Sequence, residues 1–482
     1  MLSANAADIT VTPGKLKDAL SEVANTESHL TLSGSMDVRD FHTLVAERPD
    51  LTSLDLSKVS IAAFESSTPV SYGPARHNAD ELPSGALLGL KLTELTLPSG
   101  LTTIGEGALA GMQFTELTIP TTVTTIADNA LYGCDKLTSI TLPSSVKELG
   151  AYALAGCTSL TRVDLSATHL TKLNDRLFVS DTSLRTVSLP STLTSIGEGC
   201  FAGTDMLSNI SLPGALIEIG KNAFYRSGIE SVVIPAAVTE IGDFAFAQCP
   251  RLVSAVLEGT DTELGRGLFF ADPEFVVFKA PGIATFPDYL FAGDSKFDVA
   301  PIMTNLAEIG AYALKDTGAQ SLVFGSSLIY LGDGAMENMT SLVDIDATAL
   351  KNIVPELGED VFSGINQPET ELLVADDLSD AWRGAPQWRE FKVITETEKG
   401  EMSVSDVQTA AVKCRFETST LLVESPEDIS IVEVYSPSGA KVVSESPRST
   451  HASIEAGHLS ERVYIVRVYL SNGDIATFKL MR

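Results

Sequence analysis

The chain has 482 residues, with 63 acidic against 33 basic side chains and a formal net charge of -30. That balance argues against nucleic acid or an anionic membrane surface as a partner, since both need clustered Lys and Arg. No apolar run approaches the ~18 residues of a membrane-spanning helix, and the five cysteines form no disulfide framework and, with no CxxC spacing, no metal site.

In chain order, the opening MLSANAADIT carries Ala4-Asn5-Ala6, the small-residue pattern of a signal-peptidase site without the charged and apolar regions of a signal. It reads as the start of a mature secreted chain. Leu16, Leu20 and Val23 have helical spacing, HLTLSG reads as a strand, and Val38 to Glu47 predicts a helix before Pro49. Residues 1–50 are therefore expected to form an N-terminal cap of helix, strand and helix. Leu51 to Leu56 is a first repeat-like strand. Residues 57–90 then leave the pattern with SSTPVSYGPARHNADELPSG, read as an inserted loop. A glycan or hydrolase site there would have Phe64, Tyr72, Asp80 and Glu81 to work with; a bare excursion between cap and array is the simpler reading.

From Leu92 a unit of 22 to 24 residues recurs twelve times, opening at Leu92, Phe114, Leu137, Leu160, Leu184, Leu207, Ile229, Leu252, Phe275, Phe297, Ala319 and Leu342. A fixed period of this length predicts a solenoid. Within the Leu137 unit, Ile140 and Leu142 alternate with polar neighbours as in a half-buried strand. Pro143 ends that strand, Val146 to Leu149 forms a second extended piece, Gly150 turns the chain, and Ala153 and Leu154 pack the third side. One rung cannot bury its own apolar groups; stacking at ~4.8 Å closes each ladder. Cys134, Cys157 and Cys249 share one slot of three units and are expected to be buried thiols. Cys200 takes an Ala slot.

LTSITLPSSVKELGAYALAGCTS from Leu137, and its repeats in phase, resemble the BspA-like leucine-rich repeat, a bacterial pattern reading LTxIxLPxxVTxIGxxAFxGCxx. The resemblance implies a leucine-rich repeat solenoid over residues 51–396, made mostly of short β-strands with turns and short helical segments. It also implies a secreted or cell-surface location and adhesion to host matrix proteins or other bacteria. The family's closing element, Pro-x-Trp-x-x-Phe, is met by Pro386, Trp388 and Phe391, so residues 376–393 are expected to cap the last rung.

After the ETEKGE linker, residues 397–482 alternate apolar and polar in six or seven short runs separated by turn signals at 437–439 and 472–473, which predicts a small all-β sandwich. VYSPSGAKVV and LSERVYIVRVYLSNGDIATFKLMR resemble the C-terminal sorting domain of type IX secretion substrates of the Bacteroides group. That resemblance implies a sorting or anchoring role, although SerGluArgVal stands where the family has SGxY.

Chemistry is sparse. The histidines are scattered, and neither HExxH nor GxSxG occurs. Gly105-Glu106-Gly107, Gly197-Glu198-Gly199 and Gly293-Asp294-Ser295 all fall on the repeat's own turn. Asp344 and Asp346 are a local carboxylate pair on one strand face, read as a solvated acidic edge. No catalytic residue, metal ligand or cofactor is expected. The column before each strand's final apolar residue runs from hydroxyls (Thr96, Thr118, Thr141) to apolar groups. Val233, Val256, Val277, Val299 and Val323 become the candidate partner-binding face. The expected function is non-enzymatic binding of a protein or glycoprotein by a monomer. The alternatives are a carbohydrate-associated accessory protein or hydrolase with its site in residues 57–90, and an architectural spacer.

Overall fold

The structure, a computed structural model, describes residues 7–67, 75–280, 282–297, 305–351, 353–396, 412–417, 420–435, 441–456, 463–471 and 475–481. The chain divides into two units, Met1–Glu396 and Thr397–Arg482.

The cap opens with a strand that the sequence pattern does not predict, β1 (Ala7–Val11), followed by α1 (Leu16–Leu20), β2 (His29–Met36) and α2 (Val38–Glu47). β1 runs parallel to β2 in register Ala7 to Leu30, and β2 parallel to β3 (Ser53–Ile61), so the cap already builds the strand ladder that the repeats continue. Five residues of isolated ADITV carry too little periodicity to declare a strand; its partner lies 23 residues away. Buried Asp40 ties the two helices together. Its carboxylate accepts from the backbone N–H of Asp37 at 3.0 Å in a capping box, and from Gly14 at 2.8 Å and Leu16 at 3.0 Å.

The inserted loop is shorter than the expected 57–90. β3 runs on through Ile61, and Glu81–Leu82 pairs parallel with Thr103–Ile104 as the first rung of a second ladder. Between them, His77 is buried; its Nε2 accepts from Val38 N–H at 3.2 Å and its Nδ1 donates to the Asn78 carbonyl at 3.0 Å. The two bonds fix one tautomer. Phe64 stacks on the His77 ring with centroids 6.1 Å apart, and Glu81 accepts from the Asn78 backbone and side chain. Tyr72 lies outside the described residues.

Among the described residues, most repeats contribute two parallel strands and a turn; the Phe114 and Leu207 units contribute only the second strand. The first ladder runs through Ser139–Thr141, Arg162–Asp164 and Thr186–Ser188, and again through Ser231–Ile234, Ser254–Leu257 and Val277–Lys279. The second runs through Lys172–Leu173, Ser195–Ile196, Glu218–Ile219, Glu240–Ile241 and Glu263–Leu264. On the third side the core becomes aromatic where the AlaLeu slot becomes Phe. Phe178, Phe201, Phe224, Phe246, Phe269 and Phe291 are buried and stack rung on rung, with centroids 5.0 to 6.0 Å apart. Glycine follows the second strand for want of space: a Cβ on Gly242 would sit 2.4 Å from the Lys221 backbone nitrogen.

At the C-terminal end of the array the two tryptophans of the closing segment come together. Trp382 and Trp388 are buried with centroids 4.7 Å apart, and Trp388 packs on Phe362 and donates its indole N–H to the Pro355 carbonyl at 3.2 Å. Within the array, turn N–H groups donate to carbonyls of the next rung, as Leu131 does to Ala153. The last rung has no successor. There the Gln387 amide stands in for a peptide group, accepting from Val361 N–H at 2.9 Å and donating to the Gly358 carbonyl at 2.7 Å. Val393–Glu396 then covers the strand edge at Glu371–Val374.

In the C-terminal unit, two of the expected runs, TLLVES and ISIVEVYS, are one 16-residue strand, Thr420–Tyr435. Its first half pairs antiparallel with Lys413–Glu417 and Ser449–Glu455, and its second half with Lys441–Glu445 and Val463–Leu470. The register shifts between Glu424 and Ile429, around Pro426, so one bent strand serves both halves of the small sandwich. The turn signals at 437–439 and 472–473 fall outside the described residues. Glu433 accepts from Lys441 Nζ at 2.6 Å and from the Tyr469 hydroxyl at 3.1 Å, and these bonds, with one from Tyr435, hold its carboxyl down at about 2.

Candidate interaction faces

The strand face holds the predicted partner residues, and the ladder register decides how they meet. Val233 pairs with Val256, which pairs with Lys279, so the apolar column runs for two rungs and then meets a cation. Val277 stands in the neighbouring outward column, after Ser231 and Ser254. Val233 is 52% exposed, Val277 38% and Val323 37%, while Val256 is half-buried. Val323 pairs with Asp346 and Val299 lies outside the described residues. The hydroxyl ladder that bonds rung to rung sits three positions before the Thr96 column: Thr93, Thr138 and Thr161 donate to the carbonyls of Thr52, Thr115 and Thr138 at 3.0 to 3.1 Å.

The acidic pair is a correction: it is not a solvated edge. Asp344 is buried, accepts from Ser321 Oγ at 2.7 Å, and is raised above the usual carboxylate range by burial. Asp346 accepts from the backbone and hydroxyl of Thr348 at 2.9 and 2.6 Å, closing a local turn.

Inside the coil runs a column of small polar groups. Cys134, Cys157 and Cys249 are buried, and their thiols donate to the carbonyls of Leu109, Leu131 and Phe224 on earlier rungs. Burial pushes the Cys249 thiol far above its ordinary range, which leaves it unreactive. Asp181, Asp272 and Asp294 occupy the same slot. Asp181 accepts from Cys157 N–H at 2.8 Å, Asp272 from Cys249 N–H at 2.6 Å, and Asp294 from Asp272 N–H at 2.8 Å. Each leaves its other oxygen buried without a protein partner, and burial raises all three well above the usual carboxylate range. Aligning FAGDSKF with FAGCTSL finds the slot but not the consequence, a buried carboxyl between rungs whose charged form is disfavoured by burial.

The turn face gives no signal in the sequence. One turn slot in every unit is left-handed at φ between 51 and 61°, at Gly107, Asn129, Tyr152, Arg176, Gly199, Asn222, Phe244, Gly267, Tyr289, Tyr312, Gly334 and Asp360, and a second left-handed position follows four residues later, as at Arg226, Gln248 and Asn338. Gly and Asn take this conformation readily; a bulky side chain is strained there by roughly 1–2 kcal/mol. Yet Phe244, Tyr289 and Tyr312 stand in it half-exposed, joined by Phe270. Phe244 meets Phe270 edge-on at 6.0 Å, Phe270 meets Tyr289 at 6.5 Å, and Tyr289 stacks on Tyr312 at 5.1 Å. The Phe244 ring lies over Gly267, where a Cβ would come within 2.3 Å of it. At one end of this stripe Gly199 and Asn222 leave a groove of about 450 Å³, lined also by Arg176, Glu198, Tyr225, Phe244, Gln248 and Phe270. Arg176 pairs with Glu198, and the Tyr225 hydroxyl donates to Gln248 Oε1 at 2.7 Å. A separate polar cleft of about 500 Å³ opens where the second ladder is interrupted between Glu148–Leu149 and Lys172–Leu173.

Two ladders of short parallel strands around a continuous apolar core define a leucine-rich repeat solenoid. The chain belongs to the BspA-type leucine-rich repeat family, whose profile matches in six copies over residues 80–187, 171–298 and 284–372. Among solved structures, a leucine-rich repeat protein from Bacteroides ovatus shares the fold at 20% identity and a TM-score of 0.59, over 83% of this chain and 94% of its own. A leucine-rich repeat protein of T. pallidum is 30% identical over 35% of this chain and 78% of its own, with a TM-score of 0.30. A leucine-rich cell surface protein from Faecalibacterium prausnitzii is 24% identical over 58% of this chain and 86% of its own, also at 0.30. No curated protein sequence matches the chain.

Proposed function

We propose that this is a secreted or outer-surface bacterial repeat protein that binds a macromolecule through an exposed face of its solenoid and performs no reaction. The observation that carries this reading is the contrast between inside and outside. His77, Asp346 and the Cys134, Cys157 and Cys249 thiols are engaged within the fold, whereas Val233 and Val256 meet in register on the open strand face. The expected ligand is a host matrix protein, a glycoprotein or another bacterial surface, bound by a monomer. Desolvating an apolar strip favours binding by roughly 25 cal/mol per Å², more than a self-bonded hydroxyl ladder offers.

The test begins with a pull-down of matrix proteins by the intact chain and measures the captured ligand against variants. Replacing Val233, Val256 and Val323 by Thr retains strand preference and shape, and is expected to weaken binding on the order of tenfold. Replacing Thr96, Thr118 and Thr141 by Val leaves it near wild type. Unchanged affinity in the first variant removes the strand face from the reading.

The C-terminal sandwich is assigned a sorting or anchoring role within the same proposal. Its core is separate from that of the array, Trp388 already closes the array, and the sequence of the unit resembles sorting domains. Deleting residues 401–482 is expected to leave the melting transition of the array within a few degrees of wild type and to abolish surface display in the native host. Retained display refutes the sorting role.

A further inference from the structure

We propose that the turn face around Gly199, Asn222, Phe244 and Phe270 is a binding platform for an uncharged oligosaccharide. The proposal rests on the reading of the chain as a binding protein, but places this ligand on a different side of the coil from the strand face.

The groove combines three chemistries. Phe244 and Phe270 offer apolar ring surface at its wall, continued by Tyr289 and Tyr312 on the following rungs. The Asn222 amide and the Gln248 amide nitrogen provide neutral donors and acceptors beside those rings, and the Tyr225 hydroxyl, which donates to Gln248 Oε1, can still accept a hydrogen bond. Two charged pairs at the rim are matched: Arg176 holds Glu198, and further along Lys315 holds Glu337 at 3.0 Å while lying 5.4 Å from the Tyr312 ring centroid; the Arg266 guanidinium lies over the Phe244 ring, 5.3 Å from its centroid. A sulfated, phosphorylated or sialylated ligand would have to break those pairs against a chain of net charge -30. A peptide strand finds no free edge, because the turn N–H groups of Gly199, Asn222 and Phe224 already donate to the carbonyls of Lys221, Asp243 and Ala245 on the next rungs. What fits is a ligand with a flat C–H face and a rim of hydroxyls. A pyranose ring has that shape, and a chain of them repeats at close to the ~4.8 Å spacing of the rungs.

The placement of the aromatics agrees. They stand in the slot where Gly199, Gly267 and Gly334 are unstrained, and the contacts of Phe244, Tyr289 and Tyr312 with one another and with Phe270 keep the rings aligned along the turn face. The groove also depends on that slot, since Gly199 leaves open the space that a side chain would fill.

The experiment titrates the full chain, by calorimetry and by ligand-observed NMR, with four neutral tetrasaccharides (β-1,4-glucan, β-1,3-glucan, α-mannan and N-acetylglucosamine) and a sulfated heparin tetrasaccharide as the charged probe. At least one neutral probe is expected to bind at millimolar concentration or below, and the charged probe is not. Phe244→Gly combined with Tyr289→Gly places in the slot the residue that Gly199, Gly267 and Gly334 already supply, so folding survives while affinity falls at least tenfold. Gly199→Tyr puts there the side chain that Tyr152 already carries in the same slot; it fills the groove and abolishes binding while leaving the rings in place. The proposal is overturned if no neutral probe binds, if only the charged one does, or if binding survives either variant. Val233→Thr with Val256→Thr leaves sugar binding unchanged, so loss of the strand-face reading and loss of this one give different results.

Discussion

Replacing Trp388 by Ala lowers the unfolding free energy of the array by about 3–5 kcal/mol, the range for truncating a fully buried large aromatic. The indole touches the Trp382, Phe362, Phe324 and Phe391 rings, and its N–H donates to the Pro355 carbonyl. Its loss leaves a cavity and an unsatisfied carbonyl under the last rung. In a stacked array a damaged end frays first. Hydrogen exchange should therefore accelerate in Glu356–Leu357 and Glu371–Val374 before it does in the central rungs, and urea unfolding followed by far-UV circular dichroism gives the total. A loss below about 1 kcal/mol would show that the closing segment is not what shields the apolar end. Gln387→Leu removes only the peptide-like amide and is expected to weaken the last rung by a smaller amount.

The second large effect is a dependence of stability on pH set by Asp272 and Asp294, with Asp181 as a third site. Burial raises their folded-state pKa above the unfolded value of 3.8. Below that value the acids are protonated in both states and their contribution is fully present. As pH rises through the window up to the raised folded pKa, the unfolded chain releases protons that the folded one keeps. Each such acid then removes about 1.4 kcal/mol of stability per pH unit. Thermal melting of the full chain between pH 5.5 and 8, where exposed carboxylates are ionised in both states, should show the transition falling as pH rises. Asp272→Thr with Asp294→Thr uses the residue that Thr204 and Thr317 place in the same slot, bonded to the carbonyls of Phe201 and Leu314. The double variant is expected to melt higher at neutral pH and to show a shallower slope. Comparing slopes cancels the repulsion of the acidic surface, which the two proteins share. Equal slopes would mean that these carboxylates ionise in the folded coil and find partners there.

Where the sequence failed to announce an element, distance along the chain was the cause. The helix Val38–Glu47 was legible at its observed boundaries because its apolar spacing and its Asp37 cap are local. β1 was not, since ADITV is a strand only by lying along β2. Thr420–Tyr435 read as two strands because Pro426 and its charged neighbours look like a break, whereas the partners on either side hold both halves in one bent strand. The strand-face valines were found from their shared position in the unit. Nothing in Phe244, Tyr289 or Tyr312 marked them as surface groups, because aromatic residues in a repeat ordinarily read as core.

What the sequence by itself determined is the rung: its period, its inward apolar set, the glycines after the second strand and the Trp motif that ends the array. Those follow from alternation along a strand and from the exclusion of water by apolar groups, which operate within one unit of 22 to 24 residues. Only the tertiary structure decided what stands beside what on the outside and between rungs. The register placed Lys279 beneath Val256, set Asp294 against the backbone of Asp272, and carried Phe244, Phe270, Tyr289 and Tyr312 onto one face in a left-handed slot that their chemistry alone would not choose. The physical reason is that neighbours across rungs are brought together by stacking, while local propensity sees only one rung at a time.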